Sequence, residues 1–320
     1  MQKPIRSSVN PTTQIAKRRR LFYEALNPYF GYFYTVKKTI QKKKTKFQQI
    51  ELVDTDEFGK VLIIDNITQL GVKNDFSYHE PMVHPALCSH PKPENILVIG
   101  GGDGGILREV FKYPVVKRVA FAELDKGVIT FSKKHLPTIH RNAFNDKRLT
   151  INITDGRKFT EEHPGEFDVV IMDMTDPFGP SKMLYTKDFF TLVRRSFRNE
   201  KGMFVMHSES PISRPKAFTC INKTLNSVFE NVNSLYNYIQ MYGVLWSISV
   251  CSPSIDISKV SAATIDKKLN KYDIENLNVY DGALHQSMQV AYPFIRKILD
   301  KPARIITDKR PDFPDDFISG

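Results

Sequence analysis

A short apolar run that leads into a cluster of glycines constrains the fold of this chain most strongly. Residues 96–99 are Ile-Leu-Val-Ile, and in residues 100–105 glycines surround Asp103 on both sides. A continuous apolar run is typical of a strand that is buried on both faces of a sheet. Glycine permits positive φ and lets the backbone approach a neighbouring group closely. The segment therefore predicts a buried strand, a tight turn and a helix that begins near Gly105.

The same unit of strand, turn and helix recurs along the chain. Further apolar runs occur at residues 119–124, 149–153, 167–172 and 202–206, and helical patterns occur at residues 105–111, 127–136 and 188–198. This alternation predicts an α/β fold with a doubly wound parallel sheet. Residues 234–240 and 244–250, separated by a Met-Tyr-Gly turn, predict a closing hairpin.

Earlier segments follow a different pattern. Apolar residues alternate in short runs from residue 32 to residue 72, which predicts a small antiparallel sheet, and a helix is predicted at residues 77–88. We therefore divide the chain into a basic flexible tail at 1–20, an N-terminal β domain at 21–88, an α/β domain at 89–300 and a C-terminal tail at 301–320. Residues after 300 are rich in proline and aspartate, and we assign them no structure.

The positive charge of the chain is an N-terminal property. The net charge is +11, with 46 basic and 35 acidic residues, and the first 50 residues hold twelve of the basic residues and only Glu24 among the acids, leaving 34 of each sign beyond. Basic segments at residues 16–20 and 37–46 can contact RNA or acidic lipid. No aromatic platform or base-reading motif accompanies them, which disfavours nucleic-acid binding.

Cysteine usage and hydropathy restrict the cellular setting. Cys88, Cys220 and Cys251 lie far apart and form no C-x-x-C pair, so neither a disulfide framework nor a zinc site is indicated. The sequence shows no signal-peptide pattern and no apolar run of about 18 residues. We expect a cytoplasmic protein that is not inserted in a membrane.

Carboxylates follow the predicted strands at the point where each strand ends. Asp103 lies within the glycine turn, and Glu123, Asp155, Asp173 and Asp176 follow later strands. Ligands of open α/β sheets bind outside the carboxyl ends of the strands. Repulsion between clustered carboxylates disfavours an anionic ligand, whereas a cation is attracted and one carboxylate can accept a proton. The sequence therefore predicts an acidic crevice that binds cationic ligands.

The glycine spacing leaves two ligand classes open. Gly100, Gly102 and Gly105 match the dinucleotide pattern, whereas Gly100, Gly102 and Gly104 match the G-x-G-x-G spacing of S-adenosylmethionine-binding proteins. Glu123 follows about 20 residues later, where an acid binds ribose hydroxyls. Asp103 inside the turn disfavours a pyrophosphate and favours a sulfonium that carries an amine.

Three segments together resemble the polyamine aminopropyltransferases, the spermidine synthase family, over residues 25–300. They are residues 100–105 followed by Leu-Arg-Glu-Val, residues 75–80 (Asp-Phe-Ser-Tyr-His-Glu), and residues 173–180 (Asp-Met-Thr-Asp-Pro-Phe-Gly-Pro). The resemblance implies a Rossmann-like, methyltransferase-type sheet and transfer of an aminopropyl group from decarboxylated S-adenosylmethionine to a diamine, most simply putrescine. The products would be spermidine and methylthioadenosine. It implies no metal, no cofactor beyond the co-substrate, and a homodimer or homotetramer.

The resemblance also implies site roles. Asp173 would be the general base, Asp103 would bind the donor ammonium, Glu123 the ribose, Asp155 the adenine amino group, and Pro180 would pack near the thioadenosine. The donor site as a whole would comprise Gln48, His79, Gly100, Gly102, Asp103, Glu123, Asp155, Gly156 and Pro180. The acceptor channel would comprise Tyr78, Asp176 and Tyr242, with Gln69 in either the donor or the acceptor site.

Two residues depart from the family pattern, and other functions remain open. His207 stands where relatives often have glutamine, and Trp246 stands where many relatives have a smaller or more polar residue, so the identity of the acceptor is open. Trp246 either shortens the acceptor pocket or fills the core. The alternative functions are an S-adenosylmethionine-dependent small-amine methyltransferase, a non-catalytic polyamine-binding or RNA-binding protein and, less favoured, a dehydrogenase.

Overall fold

The structure is a computed structural model that describes residues 19–177 and 179–314, apart from the side chain of Pro180. The chain divides into two compact units, Met1–Asn74 and Asp75–Gly320, and each is described by itself. Most of the predicted basic tail, residues 1–18, lies outside the described residues. Among the described residues, no helix is both long and apolar enough to cross a membrane.

The smaller unit is antiparallel, as predicted. A two-stranded sheet and a four-stranded sheet with strands in chain order comprise β1 (Arg20–Asn27), β2 (Phe30–Val36), β3 (Lys38–Lys44), β4 (Gln49–Thr55), β5 (Gly59–Ile64) and β6 (Ile67–Gly71). Apolar alternation predicted this sheet only from residue 32, so β1 was not predicted. Its apolar alternation is interrupted by Glu24, whose carboxylate is used internally, because it accepts a hydrogen bond of 2.8 Å from the amide of Thr68.

The larger unit has a seven-stranded sheet. Its order is β12-β13-β11-β10-β7-β8-β9. Strands β7 to β11 run parallel, and the predicted hairpin of β12 and β13 pairs antiparallel to β11. The strands are β7 (Asn95–Gly100), β8 (Arg118–Glu123), β9 (Leu149–Ile153), β10 (Val169–Asp173), β11 (Met203–His207), β12 (Asn231–Ile239) and β13 (Val244–Ser252). The predicted α/β fold with a small N-terminal β domain is confirmed.

Helices cover the faces of this sheet. Phe189, Phe190 and Ile221 belong to the same apolar cluster as Leu97 and Phe204 of the central strands, and all five are fully buried. Buried aromatic and aliphatic area of this kind supplies most of the stabilisation of such a layer. The helices are α1 (Phe76–Ser89), α2 (Gly105–Val110), α3 (Lys126–His135), α4 (Pro137–His140), α5 (Gly156–Glu162), α6 (Lys187–Ser196), α7 (Pro215–Asn226), α8 (Ala262–Lys271), α9 (Gly282–Ser287) and α10 (Pro293–Leu299).

The strand order reverses between β7 and β10. The chain proceeds from β7 to β8 and β9 on one side, and then crosses over to β10 on the other side. In register, Asp173 of β10 lies opposite Gly100 of β7, so the second acidic motif and the glycine turn meet at the carboxyl ends of adjacent strands. A crevice opens at such a reversal, because the following helices leave in opposite directions.

The C-terminal segment is packed, although we assigned it no structure. The backbone of Ile306, which is fully buried, accepts from the amide of Lys187 at 2.8 Å and donates to the Thr224 hydroxyl at 3.0 Å. Asp308 accepts from the guanidinium of Arg157 at 3.0 Å and from the Thr186 hydroxyl at 2.7 Å. Polar anchoring of this kind leaves no apolar periodicity, so the sequence pattern did not indicate it.

We expect Asp308→Ala to lower the free energy of unfolding by about 2 kcal/mol, because it leaves Arg157 and Thr186 without their shared acceptor. Urea denaturation measures this change. Asp312→Ala is the matched control, because Asp312 pairs only at the surface with Lys182, and its side chain is 73% exposed. A loss below about 0.5 kcal/mol is expected there. Equal losses in the two variants would contradict the anchoring role of Asp308.

Candidate active site

The glycine turn brings the backbone of β7 against Asp173. Gly100 and Gly101 have φ of +74° and +73°, a region that side chains other than glycine rarely adopt. A Cβ at Gly101 would lie 2.9 Å from Asp173 Oδ2, and one at Gly100 would lie 2.2 Å from the Asp173 carbonyl oxygen. The glycines are therefore needed for close approach to the carboxylate. Of these two glycines, only Gly100 was predicted to be a donor-site residue.

His79 lies between two carboxylates. Its Nδ1 is 2.9 Å from Asp75 Oδ2 and its Nε2 is 3.5 Å from Asp103 Oδ1. A Cβ at Gly105 would meet the imidazole ring within 2.5 Å, so the first residue of α2 must be glycine for His79 to fit. Asp103 Oδ1 also accepts from the Gly105 amide at 2.7 Å, which fixes it in the turn.

These contacts make His79 a buried cation. Burial lowers the pKa of His79, but hydrogen bonds and charges of Asp103 and Asp75 outweigh it and raise the pKa to about 10. Burial likewise raises the pKa of Asp103, but the His79 imidazolium and the Gly105 amide hold it below the usual value. Near neutral pH, His79 is therefore protonated and Asp103 is ionised.

Asp173 has the opposite electrostatic environment. Burial, and then the negative charge of Asp103, raise the pKa of Asp173 to about 7. The Tyr78 hydroxyl donates to Asp173 Oδ1 at 2.8 Å, and this bond and the His79 charge only partly oppose the rise. A ring nitrogen of His79 and one carboxylate oxygen each of Asp103 and Asp173 all lie within 4.8 Å of one another. Neighbouring carboxylates whose pKa values differ in this way are typical of acid–base sites.

A second layer of charge holds Asp75 in place. The guanidinium of Arg108 donates to Asp75 Oδ2 at 2.8 Å and to Glu109 Oε1 at 2.6 Å. His84 Nε2 lies 3.0 Å from the other oxygen of Glu109. Asp75, Arg108 and Glu109 lie in the motifs that carried the resemblance, but no role was predicted for them. Asp75 contacts His79 directly, and Arg108 joins Asp75 to Glu109.

The structure places Glu123 beside Gly102. Glu123 Oε1 accepts from the Asp125 amide at 2.8 Å, and Oε2 lies 3.1 Å from where a Cβ of Gly102 would be. Burial raises the pKa of Glu123 to about 7, and the charges of Asp125 and Asp173 add to the rise. Glu123 and Gly102 therefore lie at the same edge of the sheet as Asp103 and Asp173.

Asp155 and Gly156 follow β9, next to Glu123. The Thr154 amide donates to the Glu123 carbonyl at 3.1 Å, which ties the two strand ends together. The Asp155 carboxylate caps α5 by accepting from the Lys158 amide at 3.0 Å, and a Cβ at Gly156 would meet Ile99 at 2.3 Å. Asp155 therefore has a structural role, whatever ligand contact its second oxygen makes.

Aromatic rings extend from Asp173 along one side of the site. Tyr78 and Tyr242 meet edge to face with centroids 6.0 Å apart, Tyr242 and Trp246 at 5.2 Å, and Trp246 stacks on His207 at 5.6 Å. We call these four residues the aromatic wall. It brings the predicted residues Tyr78 and Tyr242 into contact, and it includes both residues that depart from the family pattern.

Asp176 is neutralised by a residue that the sequence analysis missed. Arg214, at the start of α7, donates to Asp176 Oδ2 at 2.9 Å and lies 3.5 Å from Glu209 Oε1. A ring nitrogen of His207 and one carboxylate oxygen each of Asp176 and Glu209 lie within 4.8 Å of one another. No sequence pattern after β11 indicates this pair, because Asp176 and Arg214 lie in two separate loops.

Three predicted site residues cannot be placed against this cluster. Gln48 precedes β4 and Gln69 lies in β6, where its side chain donates to the Ile67 carbonyl at 3.1 Å, and both belong to the smaller unit. The side chain of Pro180 lies outside the described residues. Their roles, and the expectation that no metal takes part, stay predictions.

Comparison with known proteins identifies the family. Residues 75–260 match a family model described as "Spermine/spermidine synthase domain", and residues 21–71 match one described as "Spermidine synthase tetramerisation domain". A polyamine aminopropyltransferase of Nitrosomonas europaea is 36% identical over 302 residues, covering 94% of this chain and 93% of the relative. One from Thermoanaerobacter sp. is 39% identical over 267 residues, covering 83% and 93%.

Solved structures agree with these matches. The crystal structure of spermidine synthase from Thermotoga maritima superimposes with a TM-score of 0.81 at 28% identity, covering 88% of this chain and 94% of that one. A spermidine synthase in complex with the transition-state analogue AdoDATO gives 0.80 at 27% identity, with the same coverage. The fold and the acidic edge thus define a Rossmann-like transferase. The chain belongs to the spermine/spermidine synthase family, an enzyme family of polyamine aminopropyltransferases, and the resemblance drawn from the sequence is confirmed.

Gly101→Ala separates backbone strain from contact with Asp173. Gly165 is the matched control, because its φ is +72° but a Cβ there would meet nothing within 4 Å. We expect Ala at either position to lower the free energy of unfolding by about 1–2 kcal/mol. Only Gly101→Ala should also lower kcat, by about 10-fold or more, because it displaces the Asp173 carboxylate. Equal kcat values in the two variants would argue against the close approach.

Asp173→Asn is expected to stabilise the fold at alkaline pH. The folded pKa of Asp173, about 7, lies above the ordinary 3.8, so its contribution to stability is full below pH 3.8 and is lost as the pH rises through 7. Asparagine has no such dependence. The gain in unfolding free energy from the substitution should therefore be about 2 kcal/mol larger at pH 8 than at pH 5.

Asp256→Asn is the control with the opposite sign. Burial raises the pKa of Asp256, but hydrogen bonds from Ser258 and Asn233 outweigh it and lower the pKa. This variant should lose stability at pH 8, and the loss should shrink only under acid conditions, below pH 3.8. A gain for Asp173→Asn that does not change between pH 5 and pH 8 would mean that Asp173 titrates normally.

Proposed function

We propose that the protein transfers the aminopropyl group of decarboxylated S-adenosylmethionine to a diamine, putrescine in the simplest case, giving spermidine and methylthioadenosine. One observation carries the proposal: an ionised carboxylate, Asp103, lies beside a carboxylate of raised pKa, Asp173, at the end of a glycine turn. The first is suited to hold a cationic donor, and the second is suited to take a proton from a cationic acceptor.

The donor fits the charges around the glycine turn. Asp103 would bind its ammonium, Glu123 its ribose hydroxyls and Asp155 its adenine amino group. Among the described residues, the ion pair of Asp103 is with His79, which is also engaged by Asp75. A sulfonium with an amine tail carries two positive charges and no phosphate, which suits this acidic edge.

Asp173 would supply the base. An alkyl ammonium has a pKa of about 10.4 and no lone pair at neutral pH, so it must lose a proton before it attacks. Asp173 accepts this proton as the amine nitrogen bonds to the carbon beside the sulfonium. The carbon–sulfur bond breaks, its electron pair goes to sulfur, and a neutral thioether leaves. The Tyr78 hydroxyl, bonded to Asp173 Oδ1, orients the carboxylate and leaves Oδ2 to face the Gly101 backbone.

The alternative functions fit the site less well. Intact S-adenosylmethionine carries a carboxylate beside its amine, and this carboxylate would approach the ionised Asp103 and be repelled. A non-catalytic polyamine-binding protein has no need for a carboxylate of raised pKa. The family relationship supports aminopropyl transfer over both.

We infer that the protein is a homo-oligomer, and a tetramer in the simplest case. The match of residues 21–71 to a spermidine synthase tetramerisation domain supports this inference, since that stretch covers β1 to β6 of the smaller unit.

A product assay tests the proposal. With decarboxylated S-adenosylmethionine and putrescine, we expect methylthioadenosine and spermidine by mass spectrometry, and kcat/KM that rises as the pH passes through about 7. Asp173→Asn should lower kcat by about 10²- to 10⁴-fold while calorimetry shows unchanged donor binding. Asp256→Asn controls for the aspartate-to-asparagine change itself. Formation of S-adenosylhomocysteine from intact donor, or near-normal turnover by Asp173→Asn, would refute the proposal.

A further inference from the structure

A buried group of charges lies beyond Asp173 and is not used by the chemistry proposed above. It consists of Asp176, His207, Glu209 and Arg214, which we call the distal cluster. Arg214 is 8% exposed, Asp176 16% and Glu209 0%, measured on their side chains. Burial of charge is unfavourable unless each charge is matched, so the sum of these charges constrains what can bind beside them.

The elements around the cluster fix its geometry. Glu209 follows β11 with φ of +68°, and its carbonyl accepts from both the amide and the hydroxyl of Ser247, at 3.1 Å and 2.6 Å. A left-handed conformation at a residue other than glycine or asparagine persists only when its surroundings hold it. The Arg214 amide donates to the Ser210 carbonyl at 3.0 Å, which closes the loop that carries both charges.

His207 adds no charge to the cluster. Burial lowers its pKa, so the imidazole is neutral. His207 Nε2 lies 2.8 Å from the Met174 carbonyl, which can only accept, so Nε2 carries the hydrogen and Nδ1 carries a lone pair. Nδ1 has no hydrogen-bond partner among the described residues, and neither has Nε1 of Trp246. His207 is 2% exposed and Trp246 7%.

The cluster and Asp173 belong to one continuous site. The Tyr185 hydroxyl oxygen accepts from His207 Nε2–H at 2.8 Å, and the hydroxyl donates to the Thr175 carbonyl at 3.1 Å. Burial, followed by the charges of Asp176, Glu209 and Asp173, raises the pKa of Tyr185. The aromatic wall also connects Asp173 to the distal cluster, because it begins at Tyr78, which is hydrogen-bonded to Asp173, and ends at His207. A methylene chain with an ammonium at each end can pack along such a wall.

We propose that Arg214 limits the acceptor to one positive charge at its far end, so that the site takes a diamine and rejects a triamine. The inference rests on the proposed function. Within these four described side chains, Asp176 and Glu209 carry two negative charges, Arg214 carries one positive charge and His207 is neutral, so the net charge of the distal cluster is −1, which matches one ammonium. A second ammonium would lie against the guanidinium and be repelled. Arg214 is therefore a specificity residue, not a catalytic one.

Four variants change this charge in steps. Arg214→Lys keeps one net negative charge, Arg214→Gln leaves two, Glu209→Gln leaves none, and the double variant Arg214→Gln/Glu209→Gln restores one. The measurement is kcat and KM with putrescine and with spermidine as acceptors, each with saturating decarboxylated S-adenosylmethionine. Thermal unfolding and donor binding by calorimetry verify that each variant is folded.

We expect Arg214→Gln to raise the ratio of kcat/KM for spermidine over putrescine by about 10-fold or more, and we expect the double variant and Arg214→Lys to return it towards the original value. Glu209→Gln should raise KM for putrescine by about 10-fold with little change in kcat, because the distal cluster then has no net negative charge to attract the far ammonium. A change confined to kcat would indicate a merely structural role.

The outcomes separate the two proposals. If the unaltered protein forms no methylthioadenosine with either amine, the proposed function fails, and this inference fails with it. If the unaltered protein is active and folded Arg214→Gln keeps the original acceptor ratio within about 2-fold, the inference alone is overturned. Should Arg214→Gln fail to fold, Glu209→Gln decides the question, and an unchanged KM for putrescine overturns the inference.

Discussion

The site depends on one electrostatic arrangement, a histidine cation held between two carboxylates beside a third. Asp75 and Asp103 bind the two nitrogens of His79, so the imidazole stays protonated and Asp103 stays ionised. Burial raises the pKa of Asp173, and the negative charge of Asp103 adds to the rise. A neutral histidine would leave the three carboxylates to repel one another. The different pKa values of Asp103 and Asp173 therefore depend on burial and on the position of the His79 charge.

The backbone around these charges is explained by the same arrangement. Gly101 and Gly105 leave no room for a side chain, because the Asp173 carboxylate and the His79 ring occupy that space. The glycine turn therefore allows two strand ends and one helix to bring charged groups within 4.8 Å of one another, rather than surrounding a phosphate. This close approach places stability and activity in opposition at Asp173, since its raised pKa disfavours the folded state at alkaline pH.

Charge is balanced step by step along the site. His79 pairs with Asp103 near the glycine turn, and Arg214 pairs with Asp176 and Glu209 in the distal cluster. In the proposed reaction, the cations of the protein would repel a misplaced substrate cation, and the carboxylates would attract a correctly placed one. Specificity of this kind depends on repulsion as much as on attraction.

The class of fold, the order of the strands between residues 95 and 252, the acidic character of the strand ends and the family could all be predicted from the sequence. Helices α5, α8, α9 and α10 were not predicted. The predicted features are local, because apolar runs, glycine spacing and acids directly after strands each lie within a short stretch of sequence. Other features became visible in the folded chain: Asp75 and Arg108 fix His79, and Arg214 neutralises Asp176. Trp246 joins the aromatic wall, and residues 301–314 pack through Ile306 and Asp308. Each of these depends on an ion pair, a ring contact or a hydrogen bond between segments distant in sequence. Such pairs leave no periodic pattern in the amino-acid sequence. The pKa of a side chain depends on its burial and on its neighbours, so it cannot be predicted before the fold is known.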